Sequence, residues 1–141
     1  MKNKDILGKK MLVVEDSDSI RNQLSEIYEE YGFTVVSAQN GQEALQFIIA
    51  EKGDPQTKLV AISSDVNMPK LDGAKLLEIV RSDDIFQNLK FFLITANKNE
   101  IIKIAADQLD VDGFFLKPFD KEKIFTTLNA CFSQDPTKSS R

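Results

Sequence analysis

Five short apolar runs, at residues 11–14, 33–37, 59–64, 91–95 and 113–116, alternate along the chain with five stretches whose apolar residues recur every three to four positions. Most of the runs are continuously apolar, as strands covered on both faces are. The intervening stripes are helical: Ile20, Leu24, Ile27, Tyr28 and Tyr31; Ala44, Leu45, Ile48 and Ile49; Leu76, Leu77 and Val80; Ile101, Ile104 and Ala105, with Leu109 beyond; and Ile124, Leu128 and Cys131. Asn40, with Glu43 three residues on, predicts the start of the second helix, and Asp120 that of the fifth. Strict alternation of this kind constrains the fold to an α/β (βα)5 chain with a doubly wound parallel five-stranded sheet, right-handed crossovers and helices on both faces. Residues 9–133 are expected to form one domain, residues 1–8 a flexible lead and residues 134–141 a flexible tail.

In open sheets of this kind, ligands bind at the carboxyl ends of the strands, where the strand order reverses. The polar residues following each run therefore matter most. Glu15 and Asp16 follow the first, Asp65 the third, Thr95 ends the fourth and Lys117 follows the fifth. With strand order 2-1-3-4-5, the first and third strands meet at the switch point. Glu15, Asp16 and Asp65 then share one cleft, with Thr95 and Lys117 on the same rim. Two carboxylates about 4 Å apart repel by roughly 4 kcal/mol at an effective dielectric of about 20, so the cleft calls for counter-charge. Lys117 supplies one positive charge, and a hard cation would supply more.

Composition narrows the chemistry. The chain of 141 residues contains no histidine, which removes Ser-His and Cys-His pairs, histidine metal sites and phosphohistidine. A metal must then be held by oxygen, favouring Mg2+ or Ca2+ over zinc. The net charge is −4, without a basic cluster, so no nucleic-acid partner is expected. There is no 18-residue apolar run and no basic-then-apolar leader, so neither membrane insertion nor targeting is expected, and a cytoplasmic location is. Cys131 has no second cysteine to pair with and is expected to be a small buried hydrophobe. A carboxylate nucleophile, a metal, a lysine and a hydroxyl donor together make the parts list of a phosphoryl transfer.

The stretches Val13-Val14-Glu15-Asp16-Ser17, Asp65-Val66-Asn67-Met68-Pro69-Lys70-Leu71-Asp72-Gly73, Leu93-Ile94-Thr95-Ala96 and Phe114-Phe115-Leu116-Lys117-Pro118-Phe119 occur in this order. Together they make the chain resemble the response-regulator receiver family, especially its stand-alone chemotaxis-type members, over residues 9–133. The resemblance implies the flavodoxin-like fold and a two-component phosphorelay. Asp65 would be the phosphoacceptor. Asp16 and Asp65 would ligate Mg2+ (or Mn2+), Glu15 would act mainly through a metal-bound water, and Asn67 would offer its backbone carbonyl. Thr95, Ala96 and Lys117 would meet the phosphoryl group, Ala96 keeping the acceptor accessible, and Thr95 and Phe114 would form the switch. The donor would be a histidine kinase or a histidine phosphotransfer protein. Output would pass to a downstream target through the face of helix 4, strand 5 and helix 5, with Phe114, Ile102 and Lys121 on it. A monomer is expected, one that assists its own phosphorylation and dephosphorylation and is not otherwise an enzyme.

Four departures from the usual family pattern stand out: Glu15 for the first Asp, Lys90 for a proline before strand four, Leu109-Asp110-Val111 for Ala-Gly-Ala, and Phe114 for a tyrosine. None touches the acceptor position. Three other functions compete. A pseudo-receiver, acting only as an interaction module, would lack one of the acid, acceptor or lysine positions. A haloacid-dehalogenase-type phosphatase would carry its acceptor early, in an Asp-x-Asp motif. A flavin-binding flavodoxin would need a Ser/Thr/Gly-rich phosphate loop where Glu15-Asp16 stands.

Overall fold

The computed structural model describes residues 3–68, 70–107 and 109–132. Strands β1 (Lys10–Val14), β2 (Thr34–Ala38), β3 (Leu59–Asp65), β4 (Lys90–Thr95) and β5 (Gly113–Leu116) alternate with helices α1 (Asp18–Tyr31), α2 (Gly41–Lys52), α3 (Gly73–Arg81), α4 (Lys98–Ala106) and α5 (Lys121–Phe132). All strand pairs are parallel, as the alternation predicts, and the sheet order is β2-β1-β3-β4-β5, the order that puts β1 and β3 side by side at the switch point. A 3-10 turn at Asp84–Phe86 leads into β4.

Side chains along each strand alternate between two cores. On one face, Leu12, Val14, Ile62, Phe91 and Leu93 meet Ala44 and Ile48 of α2, Leu76, Leu77 and Val80 of α3, and Ile104 of α4. On the other, Met11, Val13, Ala61, Phe92, Ile94 and Phe115 meet Leu24, Tyr28 and Tyr31 of α1 and Ile124 and Leu128 of α5. Two-sided burial is why the strands read as apolar runs. At about 25 cal/mol per Å² of apolar area, these layers are the main source of stability.

The helix starts follow side-chain caps. Asn40 accepts the Glu43 N–H at 2.9 Å, and Asp120 accepts the Glu122 N–H at 3.0 Å, as expected. Ser17 and Asp72 cap α1 and α3 in the same way. Three expectations need correction. The lead is tied down from Asn3 onward: the Asn3 N–H donates to the Tyr31 carbonyl at 2.7 Å and Ile6 is buried, because the segment closes the lower end of the second core. Ile49 faces solvent, one position off the stripe that Ile48 buries. Cys131 is half-buried at the edge of the second core. The tail expected at residues 134–141 lies outside the described residues.

Candidate functional site

Strand register assembles the site. Val14 pairs with Ser64, Asp65 with Ile94 and Thr95 with Leu116, so β1, β3, β4 and β5 end nearly level. The residues at or just beyond each end therefore share one rim: Glu15 and Asp16 beyond β1, Asp65 closing β3, Thr95 closing β4 and Lys117 beyond β5. The Lys117 N–H donates to the Thr95 carbonyl at 2.9 Å, which carries the pairing one residue further. Oxygens of Glu15, Asp16 and Asp65 lie within 4.8 Å of one another. Glu15, Asp65 and Thr95 are buried, whereas Asp16 is exposed.

The Lys117 ammonium donates to Asp65 Oδ2 at 2.7 Å and lies 3.2 Å from Glu15 Oε1. The other oxygens of this pair take backbone donors. Ser17 N–H reaches Glu15 Oε2 at 2.9 Å, and Asn67 N–H reaches Asp65 Oδ1 at 3.1 Å. Glu15 Oε1 is buried, and its one close cationic neighbour is the Lys117 ammonium, which is already engaged by Asp65. A buried carboxylate oxygen that shares its cation with a second carboxylate is under-compensated unless something further binds it.

Three carboxylates therefore face one ammonium. Burial pushes the Glu15 carboxyl up to about 7, opposed by the Ser17 hydrogen bond and reinforced by Asp65. Burial alone would lower the Lys117 pKa, but the Asp65 hydrogen bond and the charges of Asp65 and Glu15 outweigh it and raise the pKa. An all-oxygen donor set with excess negative charge fits a hard divalent cation.

The remaining predicted residues sit nearby. Ala96 is exposed in the turn between β4 and α4. Phe114 is half-buried on β5, beside Leu93 in the register, and packs against the first core. Thr95 does not point a free hydroxyl at Asp65. It donates to Glu100 of α4 and accepts the Asn97 N–H at 3.0 Å. The Asn67 side chain donates to the other Glu100 oxygen at 2.7 Å. Lys121 turns toward α1, pairing with Glu30 at 3.0 Å rather than joining Phe114.

Sequence reasoning missed Glu100, Arg21 and the packing role of two glycines. The Arg21 guanidinium donates to the Glu15 carbonyl at 2.8 Å and so holds the turn that presents the acid. A Cβ on Gly73 would stand 2.3 Å from the Asp65 carbonyl oxygen, so only glycine lets α3 start this close to the site. Likewise, a Cβ on Gly41 would stand 2.3 Å from the Leu71 carbonyl oxygen. The Asp72-Gly73 pair is the one signal that could have pointed to such a contact.

The chain resembles known proteins throughout. The sequence model of the response regulator receiver domain matches residues 11–129. The alkaline phosphatase synthesis transcriptional regulatory protein PhoP of Bacillus subtilis is 32% identical over 88% of this chain, which spans about half (48%) of that protein's length. A probable chemotaxis protein CheY of Rhizobium etli is 30% identical over 87% of this chain and 92% of its own length. Among solved structures, the chemotaxis protein CheY4 of Vibrio cholerae superposes with a TM-score of 0.74 at 28% identity, covering 88% of this chain and 98% of that one.

Proposed function

Because the chain belongs to the response-regulator receiver domain family, we propose that it is a phosphorylation-driven switch whose acceptor is Asp65. The observation that carries this reading is the arrangement of Glu15, Asp65 and Lys117: a buried carboxylate held by one lysine, beside a second buried acid that shares the same ammonium. Asp65 Oδ2 attacks the phosphorus of a donor phosphohistidine, an O–P bond forms as the P–N bond breaks, and the imidazole leaves. Lys117, already on Asp65 Oδ2, moves its charge onto the phosphoryl oxygens. Ala96 leaves the approach to Asp65 open. Thr95 turns its hydroxyl to a phosphoryl oxygen, and Phe114 packs into the space it leaves. Glu15, Asp16, Asp65 and the Asn67 carbonyl would hold Mg2+, or Mn2+ in its place, which when bound neutralises charge developing on the phosphoryl oxygens.

The histidine is supplied by a kinase or a phosphotransfer protein, since these 141 residues contain none. Output passes by protein binding through α4, β5 and α5. Support for that face is a groove of about 490 Å³ lined by Ile101, Phe114, Leu116, Pro118 and Ile124, with Ile102 exposed beside it. The Rhizobium etli relative, 92% of whose length this chain covers, supports a stand-alone, chemotaxis-type use. No described helix is long and apolar enough to cross a membrane.

Acetyl phosphate with Mg2+ should label the protein with an acid-stable, hydroxylamine-labile phosphate. Asp65→Asn, or wild type in chelator, should stay unlabelled. Label retained in either sinks the assignment. Turnover of p-nitrophenyl phosphate would instead favour a phosphatase.

A further inference from the structure

Asn97 and Glu100 have capping-box spacing, in which the glutamate would reach back to the N–H of the capping residue. Glu100 does not do this. The Asn97 N–H is taken by Thr95 Oγ1 at 3.0 Å. One Glu100 oxygen accepts the Thr95 hydroxyl, and the other accepts the Asn67 side-chain amide at 2.7 Å. A single carboxylate of α4 thus ties the end of β4 to the loop after β3. Thr95 is buried and has one proton to donate. While Glu100 holds that proton, no phosphoryl oxygen can receive it.

Resting on the receiver reading above, we infer that Glu100 is a positioning residue that latches the resting state: it competes with the phosphoryl group for the Thr95 hydroxyl and restrains Asn67 until the phosphoryl group arrives. The latch has room to open. A hollow of about 270 Å³ lies between the loop after β3 and α4, lined by Asn67, Asp72, Glu100, Lys103 and Asp107. A released Glu100 can turn into it, and Lys103 supplies a cationic partner there. Because Glu100 belongs to α4, its release also frees the first turn of the helix that borders the proposed output groove. Acceptor chemistry and helix position then share one hydrogen-bond exchange.

The test is a titration of beryllofluoride, an acyl-phosphate mimic, into Mg2+-saturated protein, read from backbone amide signals of residues 95–100. Wild type should bind. Glu100→Ala should bind about three- to tenfold tighter, the equivalent of one hydrogen bond no longer given up. Glu100→Gln keeps an acceptor for Thr95 and loses the charge, so it should fall between them; it carries the same test if the alanine variant fails to fold. In a Thr95→Ala background, Glu100→Ala should lose at least half of its logarithmic gain. Folded Glu100 variants that bind no tighter than wild type overturn the latch and leave the receiver reading intact. An undiminished gain in the Thr95→Ala background also overturns it, because simple charge removal would then be the cause. Failure of wild type to bind overturns the receiver reading, and the latch with it.

Discussion

Two charged clusters flank the sheet, and they are built on opposite rules. At the end of α3, Arg81 faces Asp112 at 2.9 Å and donates to the carbonyls of Asp110, Gln87 and Leu89. Asp112 in turn accepts the Phe91 N–H at 2.8 Å. Arg81 and Asp112 balance in charge, and each has directed partners. On the carboxyl rim, three carboxylates lie together, two of them share Lys117, and Glu15 is pushed toward neutrality. The first cluster staples α3 to the start of β4 and the loop before β5. The second is incomplete by itself. A protein gains stability from the former and tolerates the latter for function.

If that contrast is real, charge removal should have opposite signs at the two clusters. The largest effect is expected for Arg81→Ala, which removes the ion pair to Asp112 and the donor to three carbonyls, leaving Asp112 with the Phe91 N–H and the more distant Lys90. It should cost about 2–4 kcal/mol in denaturant melts yet leave metal binding at the rim intact in the folded protein. A loss under about 0.5 kcal/mol would demote the Arg81 cluster to an ordinary surface pair.

Gly73→Ala tests the join between fold and site. The added methyl meets backbone rather than a flexible side chain, so relief requires α3 or Asp65 to move. A loss of about 1–3 kcal/mol is expected, together with weaker Mg2+ binding. Lost stability with unchanged metal affinity would separate Gly73 from the site.

Glu15→Gln should have a smaller effect of the opposite sign. In chelator at pH 8 it should stabilise the fold by about 1 kcal/mol. The pH dependence sharpens this. The Glu15 pKa is raised from 4.5 to about 7, so between those values the folded chain holds more protons than the unfolded one. Its contribution to stability is fully present below about 4.5 and is lost as pH rises through about 7. The stability gap between Glu15→Gln and wild type should therefore widen across that window in chelator and close with excess Mg2+. A gap that is constant with pH would remove burial of an ionisable Glu15 from the account.

Much of this was legible in the sequence because the two signals are physically coupled. Strands buried on both faces read as apolar runs, and the first polar residue after each run must lie on the rim, so Glu15, Asp65, Thr95 and Lys117 could be placed from pattern alone. Strand β5 was found to the residue, whereas β2 begins one residue late because Phe33 is still part of the turn out of α1. Glu100 was not legible as more than a helix cap. Asn-x-x-Glu is an ordinary start signal, and only the third dimension diverts the side chain to Thr95 and Asn67. The packed lead was hidden for a similar reason. Asn3 and Ile6 sit in a polar, Lys-rich stretch, and their partners lie far along the chain, Asn3 also donating to the Tyr31 hydroxyl.

The central claim is that the rim carboxylates form one cluster that demands a cation and centres on Asp65. Thermal melts of wild type and Asp65→Asn, each in EDTA and in excess Mg2+, test it most directly. Wild type should gain stability from Mg2+, because only the folded chain assembles the site. Asp65→Asn should melt above wild type in EDTA and lose most of the Mg2+ shift. If it melts below wild type in EDTA and Mg2+ shifts both equally, these acids do not act as one site.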